Sequence, residues 1–311
     1  MKKNNSRFDK KAAPKKKNSI AAHRPEVMPM KNQAGVRIKN AGKPQGGGRP
    51  ATKGAENAMP RDWRVVIGTH AINEALMVRP RQVKAMWLRQ GWESSTELCG
   101  TEELAKKFNI KYEVKPSSVI EKFGSSQQGA ALFVDGAPEF DLNKLAEHEK
   151  STVLILDGIE DPHNLGAILR TSWLVGTHGV IIPEDRAVGL TPTVHKVACG
   201  GVEHVPVEET TNFSKYAEAL KEKGYWIFGL SPRGTKSIFE LELPEKVVWA
   251  IGSEDKGLRV TTERLCDELV YIPQASSSAS YNASVATAMA LTETLRQHAP
   301  RSNAKKSRPV E

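Results

Sequence analysis

From Thr152 onward the chain alternates short apolar runs with stretches of helical periodicity, and that alternation constrains the fold more than any other feature. Val153-Leu154-Ile155-Leu156 and Val247-Val248-Trp249-Ala250-Ile251 are apolar without interruption over strand length, the pattern of a strand covered on both faces. Strand and helix repeated in turn favour a mainly parallel sheet packed with helices, an α/β domain. Strands are expected at 152–157, 180–182, 203–207, 225–230, 247–252 and 269–272. A helix over 165–175 is stopped by Gly176, with Asn164 in the N-cap position. The last and longest helix is expected over 281–298, with Val285, Met289, Thr292 and Leu295 on about one face.

A smaller mixed α/β unit precedes it. Residues 68–76 read as a short helix, 83–88 alternate like a strand, 95–108 read as a helix, 110–114 alternate again, and 127–134 close the unit. Segment 136–150 is polar and reads as a linker with a short helix. Residues 1–61 lack periodicity and are rich in Lys, Asn, Pro and Gly, so they bury too little apolar surface to offset chain entropy and are expected to be disordered. The resulting division is a basic tail over 1–61, a small unit over 62–140, a linker over 141–150, the main domain over 151–298 and a basic C-terminal tail over 299–311.

Charge is placed unevenly along these parts. The tail 1–61 holds 11 Lys and 5 Arg against Asp9, Glu26 and Glu56, a net of +13 in a chain of +9 overall, which leaves the other 250 residues at −4. The basic character therefore belongs to the arm. Such an arm draws polyanions by counterion release without reading their sequence; the plainer alternative is a solubilising tail.

Other classes are excluded or disfavoured. No run approaches the roughly 18 apolar residues of a spanning helix, and no apolar core follows the Lys-rich start, so neither a membrane span nor a signal peptide is expected. A soluble, cytoplasmic protein is the default. Cys99, Cys199 and Cys266 are an odd, scattered set without a C-x-x-C pair, which argues against a disulfide framework and a structural zinc site. Asp157-Gly158-Ile159-Glu160 after the first strand is no G-x-G-x-x-G, and there is no P-loop, so any nucleotide cofactor must be held in another way.

Three polar clusters fall at the C-terminal ends of expected strands, where open α/β sheets place ligands. They are Asp161-Pro162-His163-Asn164-Leu165-Gly166-Ala167-Ile168-Leu169-Arg170-Thr171-Ser172, then Ala250-Ile251-Gly252-Ser253-Glu254-Asp255-Lys256-Gly257-Leu258, then Ile272-Pro273-Gln274-Ala275 with the serine-rich stretch running into Ser280-Tyr281-Asn282-Ala283-Ser284. In order and spacing these resemble the three motifs of the SpoU (TrmH) family of RNA ribose 2′-O-methyltransferases in the SPOUT superfamily. The resemblance covers about 150–298. The unit at 64–135 is similar to that family's RNA-binding domain, with Gly68-Thr69-His70-Ala71 and Gln128-Gly129 in the expected places.

The resemblance implies a trefoil-knotted domain, an exception to the rule that chains avoid threading, with S-adenosyl-L-methionine as cofactor and tRNA or rRNA as substrate. It places Gly252, Ile272 and Tyr281 against the cofactor and assigns Asn164, Arg170, Glu254, Ser280 and Asn282 to the catalytic set, with no metal. It also implies a homodimer paired through the knotted region and the last helix, one chain's Arg170 facing its partner's cofactor. Read from the residues, Gly252 lets main chain approach a ligand closely, with a plain turn glycine as the alternative. Asn164 could cap a helix with its oxygen and keep its amide free; Arg170 could be a solvated surface charge. Because a guanidinium is costly to deprotonate, Arg170 suits orienting a phosphate and lowering the hydroxyl's pKa better than acting as base, and Glu254 could position Arg170 or a water. His163 reads as an ordinary loop residue before a base, and the six tryptophans as core before stacking platforms. Where the family commonly has Ser-Leu-Asn-Val-Ser after a glycine-containing loop, this chain has Tyr281 and serines, and Gln127 stands for a common histidine. Two rivals follow: an RNA-binding member that has lost turnover, and an RNA base methyltransferase.

Overall fold

The computed structural model describes residues 63–124, 127–276 and 279–299. The basic arm over 1–61, nearly all of the C-terminal tail and the middle of the serine run lie outside them.

The N-terminal unit runs β1 (Trp63–Ile67), α1 (Thr69–Val78), β2 (Val83–Arg89), α2 (Thr96–Lys107), β3 (Glu113–Lys115), α3 (Ser117–Ile120) and β4 (Ala130–Asp135). Its sheet has the order β1-β4-β2-β3. The central strand β4 pairs antiparallel with both neighbours, and β2 pairs parallel with β3. Alternation along β4 feeds two cores: Leu132 and Val134 join Ile72, Leu76 and Leu98 on the helical side, while Ala131 and Phe133 meet Ile67 and Ile120 on the other. Strand β3 starts later than the alternation of 110–114 suggests. Ile110 and Tyr112 still pack on the core, but from the connection that precedes the strand.

The larger unit continues with α4 (Leu142–Glu147), β5 (Ser151–Asp157), α5 (Pro162–Val175), β6 (Gly179–Pro183), α6 (Pro192–Ala198), β7 (Val207–Thr210), α7 (Phe213–Glu222), β8 (Trp226–Leu230), β9 (Lys236–Ser237), β10 (Lys246–Gly252), α8 (Val260–Glu263), β11 (Glu268–Tyr271) and α9 (Ala283–His298). Among the described residues its sheet has seven strands in the order β7-β6-β5-β10-β8-β11-β9, all paired in parallel. The uninterrupted apolar runs follow from burial on both sides. Leu154, Leu156, Trp249 and Ile251 face α5 and α9, while Val153, Ile155, Val248 and Ala250 face α4 and α7.

Three local readings change. Helix α5 is capped by Asp161, whose Oδ1 accepts from His163 N at 2.8 Å, with Pro162 in the first helical position; Asn164 therefore lies inside the first turn and caps nothing. The run 203–207 is split: Gly200 and Gly201 start a 3₁₀ turn through Glu203, and the strand begins only at Val207. On α9 the buried residues are Ala283, Thr287, Ala290, Leu291, Glu293 and Thr294; the alanines and threonines among them let the helix nest against the sheet. Of the expected stripe only Met289 packs on the core; Val285 and Leu295 are 43% and 47% exposed and Thr292 is exposed too, so the rest of the stripe lies on the outer face. Trp249 is fully buried and donates to Thr294 Oγ1 at 2.8 Å, whereas Trp226 is half exposed.

Candidate active site

Parallel strands send their C-terminal ends, and the loops after them, to one edge of the sheet. At that edge β5, β10 and β11 lead into the three polar clusters. Asp157, buried at the end of β5, bonds the Arg259 backbone N at 2.9 Å and pairs with its guanidinium. This anchors the loop after β10, which folds back on itself through the Ser253–Gly257 bridge. A Cβ on Gly252 would lie 2.0 Å from Gly257 C and 2.2 Å from Leu258 N. Glycine is needed there because the loop's own main chain crosses the position, a different reason from the ligand approach expected from sequence.

The turn carries Glu254 to Asn164 and Asn282. Glu254 Oε1 accepts from Asn164 Nδ2 at 2.8 Å, from the Ala283 backbone N at 3.3 Å and from Asn282 Nδ2. Asn282 Nδ2 also donates to Asn164 Oδ1 at 2.9 Å. Asn282 Oδ1 caps α9, accepting from Ser284 N at 2.9 Å and Val285 N at 3.4 Å. The capping expected of Asn164 is carried out by Asn282, whose oxygen caps α9 while its amide is committed to Glu254 and Asn164. Asn164 is 8% exposed, so its amide is spent on this cluster, a use that lets a buried polar group stay satisfied. Among the described residues Glu254 Oε2 has no hydrogen-bond partner in the cluster, and Glu254 does not reach Arg170.

Beside this cluster lies a cavity of about 450 Å³ whose lining includes Gly252, Glu254, Ile272, Ser280 and Tyr281, within the roughly 300–1,000 Å³ of small-molecule sites. Leu230, Ile251 and Ala286 supply apolar wall, and Ser231, Glu263 and Gln274 supply polar groups at intervals. The turn over 252–257 and Ile272 line much of the rest. These residues fit a nucleoside-sized cofactor: an apolar slot for a base, with scattered polar atoms for sugar and charged ends. Tyr281 does not block it. Its hydroxyl donates to Pro273 O at 3.0 Å, tying together the two sides of the loop after β11.

Arg170 stands apart. It is exposed on α5, and its Nη1 donates to Cys199 Sγ at 3.5 Å. Six helical residues separate it from Asn164, about 9 Å along the axis and about 120° around it. With Asn164 turned to Glu254, Arg170 does not line the cavity of its own chain.

The SpoU rRNA Methylase family matches residues 151–292, and the RNA 2′-O ribose methyltransferase substrate binding family matches residues 65–140. The chain is 40% identical over 239 residues to the 23S rRNA (guanosine-2′-O-)-methyltransferase RlmB of Shewanella oneidensis, covering 75% of this chain and 97% of that one. It is 38% identical over 240 residues to RlmB of Neisseria meningitidis, covering 75% and 95%. The chain belongs to the SpoU rRNA methylase family. Among solved structures, the SpoU methyltransferase AviRb from Streptomyces viridochromogenes in complex with AdoMet shares the fold, with TM-score 0.66 at 23% identity over 76% of this chain and 90% of that one.

In this SpoU member the structure gathers Gly252, Glu254, Ile272, Ser280 and Tyr281 on one cavity, joins Asn164 and Asn282 to its rim, and leaves Arg170 outside. His163 is exposed at the second position of α5 and is not part of the cavity lining. Sequence reasoning passed over Arg233 and Glu263, an ion pair at the cavity's far side; the signal available was Ser231-Pro232-Arg233 at the C-terminal end of a strand. It also passed over Cys199–Glu203, for which the Gly200-Gly201 pair was the clue. Among the described residues no group of three His, Cys, Asp or Glu side chains is placed to hold a metal ion, and no helix is long and apolar enough to cross a membrane.

Proposed function

We propose that this chain uses S-adenosyl-L-methionine to methylate the ribose 2′-oxygen of a guanosine in 23S rRNA. The observation that carries this reading is the cavity at Gly252, Ile272 and Tyr281 directly against the Glu254–Asn164–Asn282 cluster. Ribose methylation and the cofactor go with SpoU membership. The choice of 23S rRNA rests on the two RlmB relatives, and a cytoplasmic location is the one such a substrate requires.

When bound, the cofactor supplies an electrophilic methyl group on a sulfonium. The chain must hold it, align the ribose hydroxyl, take up a proton and stabilise the developing alkoxide. Gly252, Ile272 and Tyr281 hold the cofactor, largely through main chain. Glu254 Oε1 is taken up by three donors, which fixes the carboxylate and leaves Oε2 to accept the hydroxyl proton, directly or through a water. Ser280 at the rim and the Asn164–Asn282 pair keep that carboxylate and the ribose in register. Arg170 orients the backbone phosphate and stabilises the alkoxide as a permanent donor.

On this reading the working unit is a homodimer. Asn164 and Arg170 point about 120° apart on one helix, so Arg170 serves the cavity of a partner chain, and the exposed outer face of α9 is part of the two-fold contact. The strand order supports knotted threading, since β10 enters between β5 and β8 and the chain then returns to β11 beyond β8. Neither loss of turnover nor base methylation is favoured by any observation in the site. The test is nucleoside analysis of 23S rRNA after incubation with methyl-labelled cofactor. Label is expected in 2′-O-methylguanosine; label in a base, or in no nucleoside, overturns the reading.

A further inference from the structure

We propose that the loop Cys199–His204 couples docking of the substrate-binding unit to the placement of Arg170, with Glu203 and His204 as positioning residues. The proposal rests on the reading above that Arg170 serves methyl transfer. Its basis is a juxtaposition: one short loop is gripped from one side by the N-terminal unit and lies on the other against the arginine's own turn of α5.

On the α5 side the contact is main chain on main chain. Cys199 and Gly200 are both left-handed, with φ of 49° and 104°, which folds the loop sharply onto the helix. A Cβ on Gly201 would lie 2.7 Å from Leu169 O and 3.1 Å from Arg170 N. One side chain of the loop then holds the arginine itself and another holds the next turn of its helix. Cys199 Sγ accepts from Arg170 Nη1 at 3.5 Å, and Trp173, three residues further along the helix, stacks on His204 with ring centres 4.4 Å apart and planes 6° from parallel.

From the N-terminal unit, Arg64 forks onto Glu203 with 2.9 and 3.0 Å hydrogen bonds, and Arg79 Nε lies 3.3 Å from Oε2, an ion pair without hydrogen-bond alignment. Glu74 Oε1 meets His204 Nε2 at 2.6 Å, and a Cβ on Gly200 would lie 2.5 Å from Glu74 Cβ. The Glu203 side chain is 1% exposed. A carboxylate that deep is strongly unfavourable once its cations leave, and both arginines belong to the N-terminal unit. His195 is no substitute. Burial and the Arg64 charge push its pKa down to about 3, so the ring is neutral; its Nε2 faces Arg64 Nη1 at 3.5 Å as the acceptor, leaving the proton on Nδ1. Undocking the unit therefore forces Glu203, and the loop that carries it, to move. Arg170 then loses its Cys199 contact, and its helix loses the His204 stack on Trp173. RNA that seats the N-terminal unit favours the arrangement in which the arginine is held, because a ligand shifts an equilibrium towards the state it binds better.

The test uses the full-length protein and the variants Glu74→Ala, His204→Phe and their combination; phenylalanine keeps the stack on Trp173 and drops the Glu74 contact. Three quantities are read: the guanidinium Nε–H NMR signal of Arg170, assigned by its loss in Arg170→Lys; the transfer rate at saturating 23S rRNA and cofactor; and cofactor affinity by calorimetry. The Arg170 signal is expected to shift in both single variants. The saturated rate should fall by about ten- to a hundredfold, the scale set by small misplacements of reacting groups, with cofactor affinity within about twofold. The double variant should be no slower than the worse single one. An unmoved signal, an unchanged saturated rate with only the RNA KM raised, or losses that multiply would each overturn the coupling. Absence of transfer to rRNA by the unaltered protein would overturn the proposed activity, and the NMR signal would then decide the coupling by itself.

Discussion

Glu203 lies buried between two arginines of the neighbouring unit, whereas Glu254 stands exposed at a cavity rim and is bound by amides alone. The first has its charge neutralised by cations and is closed to solvent. Among the described residues the second makes no ion pair and keeps Oε2 outside the hydrogen bonds of its cluster. A buried carboxylate with full ion pairing fixes geometry but has nothing left to offer a substrate. One restrained by neutral donors keeps both its charge and an open acceptor. The contrast separates the part of the molecule that holds a shape from the part that does chemistry.

The largest effect should come from Glu203→Ala, which leaves Arg64 and Arg79 without their acid and should cost about 3–5 kcal/mol of folding stability, measured by denaturant unfolding. Glu254→Gln breaks the comparison the other way: unfolding should be nearly unchanged while methyl transfer falls about a hundredfold or more, the range of acid–base contributions. If both variants lose stability equally, the distinction between the two acids fails. Gly252→Ala should cost about 1–3 kcal/mol by overpacking against Gly257 and Leu258, together with most of the cofactor affinity; calorimetry showing unaltered binding would separate that turn from the cofactor.

The effect that is smallest at neutral pH belongs to the Glu203 region and grows only as pH falls. His195 drops from its ordinary 6.5 to about 3 on folding, through burial first and the Arg64 charge second. Because the unfolded chain then binds the proton more readily, stability is complete above about pH 6.5 and declines as pH falls towards 3. In His195→Gln that decline should be shallower in urea unfolding between those pH values. Equal slopes in both proteins would show that the ring does not carry the effect.

How much was legible depended on sequence range. The strands of the parallel sheet could be read because both faces are buried, so Val153–Leu156 and Val247–Ile251 carry no polar interruption. Gly252, Glu254 and Ile272 were legible because each ends or closely follows a strand, and strand ends share an edge; Ser280 and Tyr281, far along the loop after β11, rested on the family resemblance. Local errors came from competing residues of the same type. Asp161 and Asn164 both suit a cap, and Pro162 was the cue that decides for Asp161. Helix α7, which sequence reading passed over, had its signal in Asn212 ahead of Phe213, Ala217 and Leu220. The Glu203 centre was beyond reach, because Arg64 lies 139 residues away in sequence and no periodicity links the two. Arg170's separation from its own chain's cavity could not be read from the residues alone, since it depends on which way α5 is turned once Asn164 is engaged; only the family resemblance implied it.

That separation allows the central claim, an incomplete site on each chain finished by a partner, to be measured by mixing Arg170→Ala with Glu254→Gln after each has been shown inactive alone. Subunit exchange should restore about a quarter of the unaltered rate, since half of the dimers are mixed and each of those has one whole site of two. Activity that stays at the level of the separate variants would place Arg170 and Glu254 in the same chain's site and contradict the account.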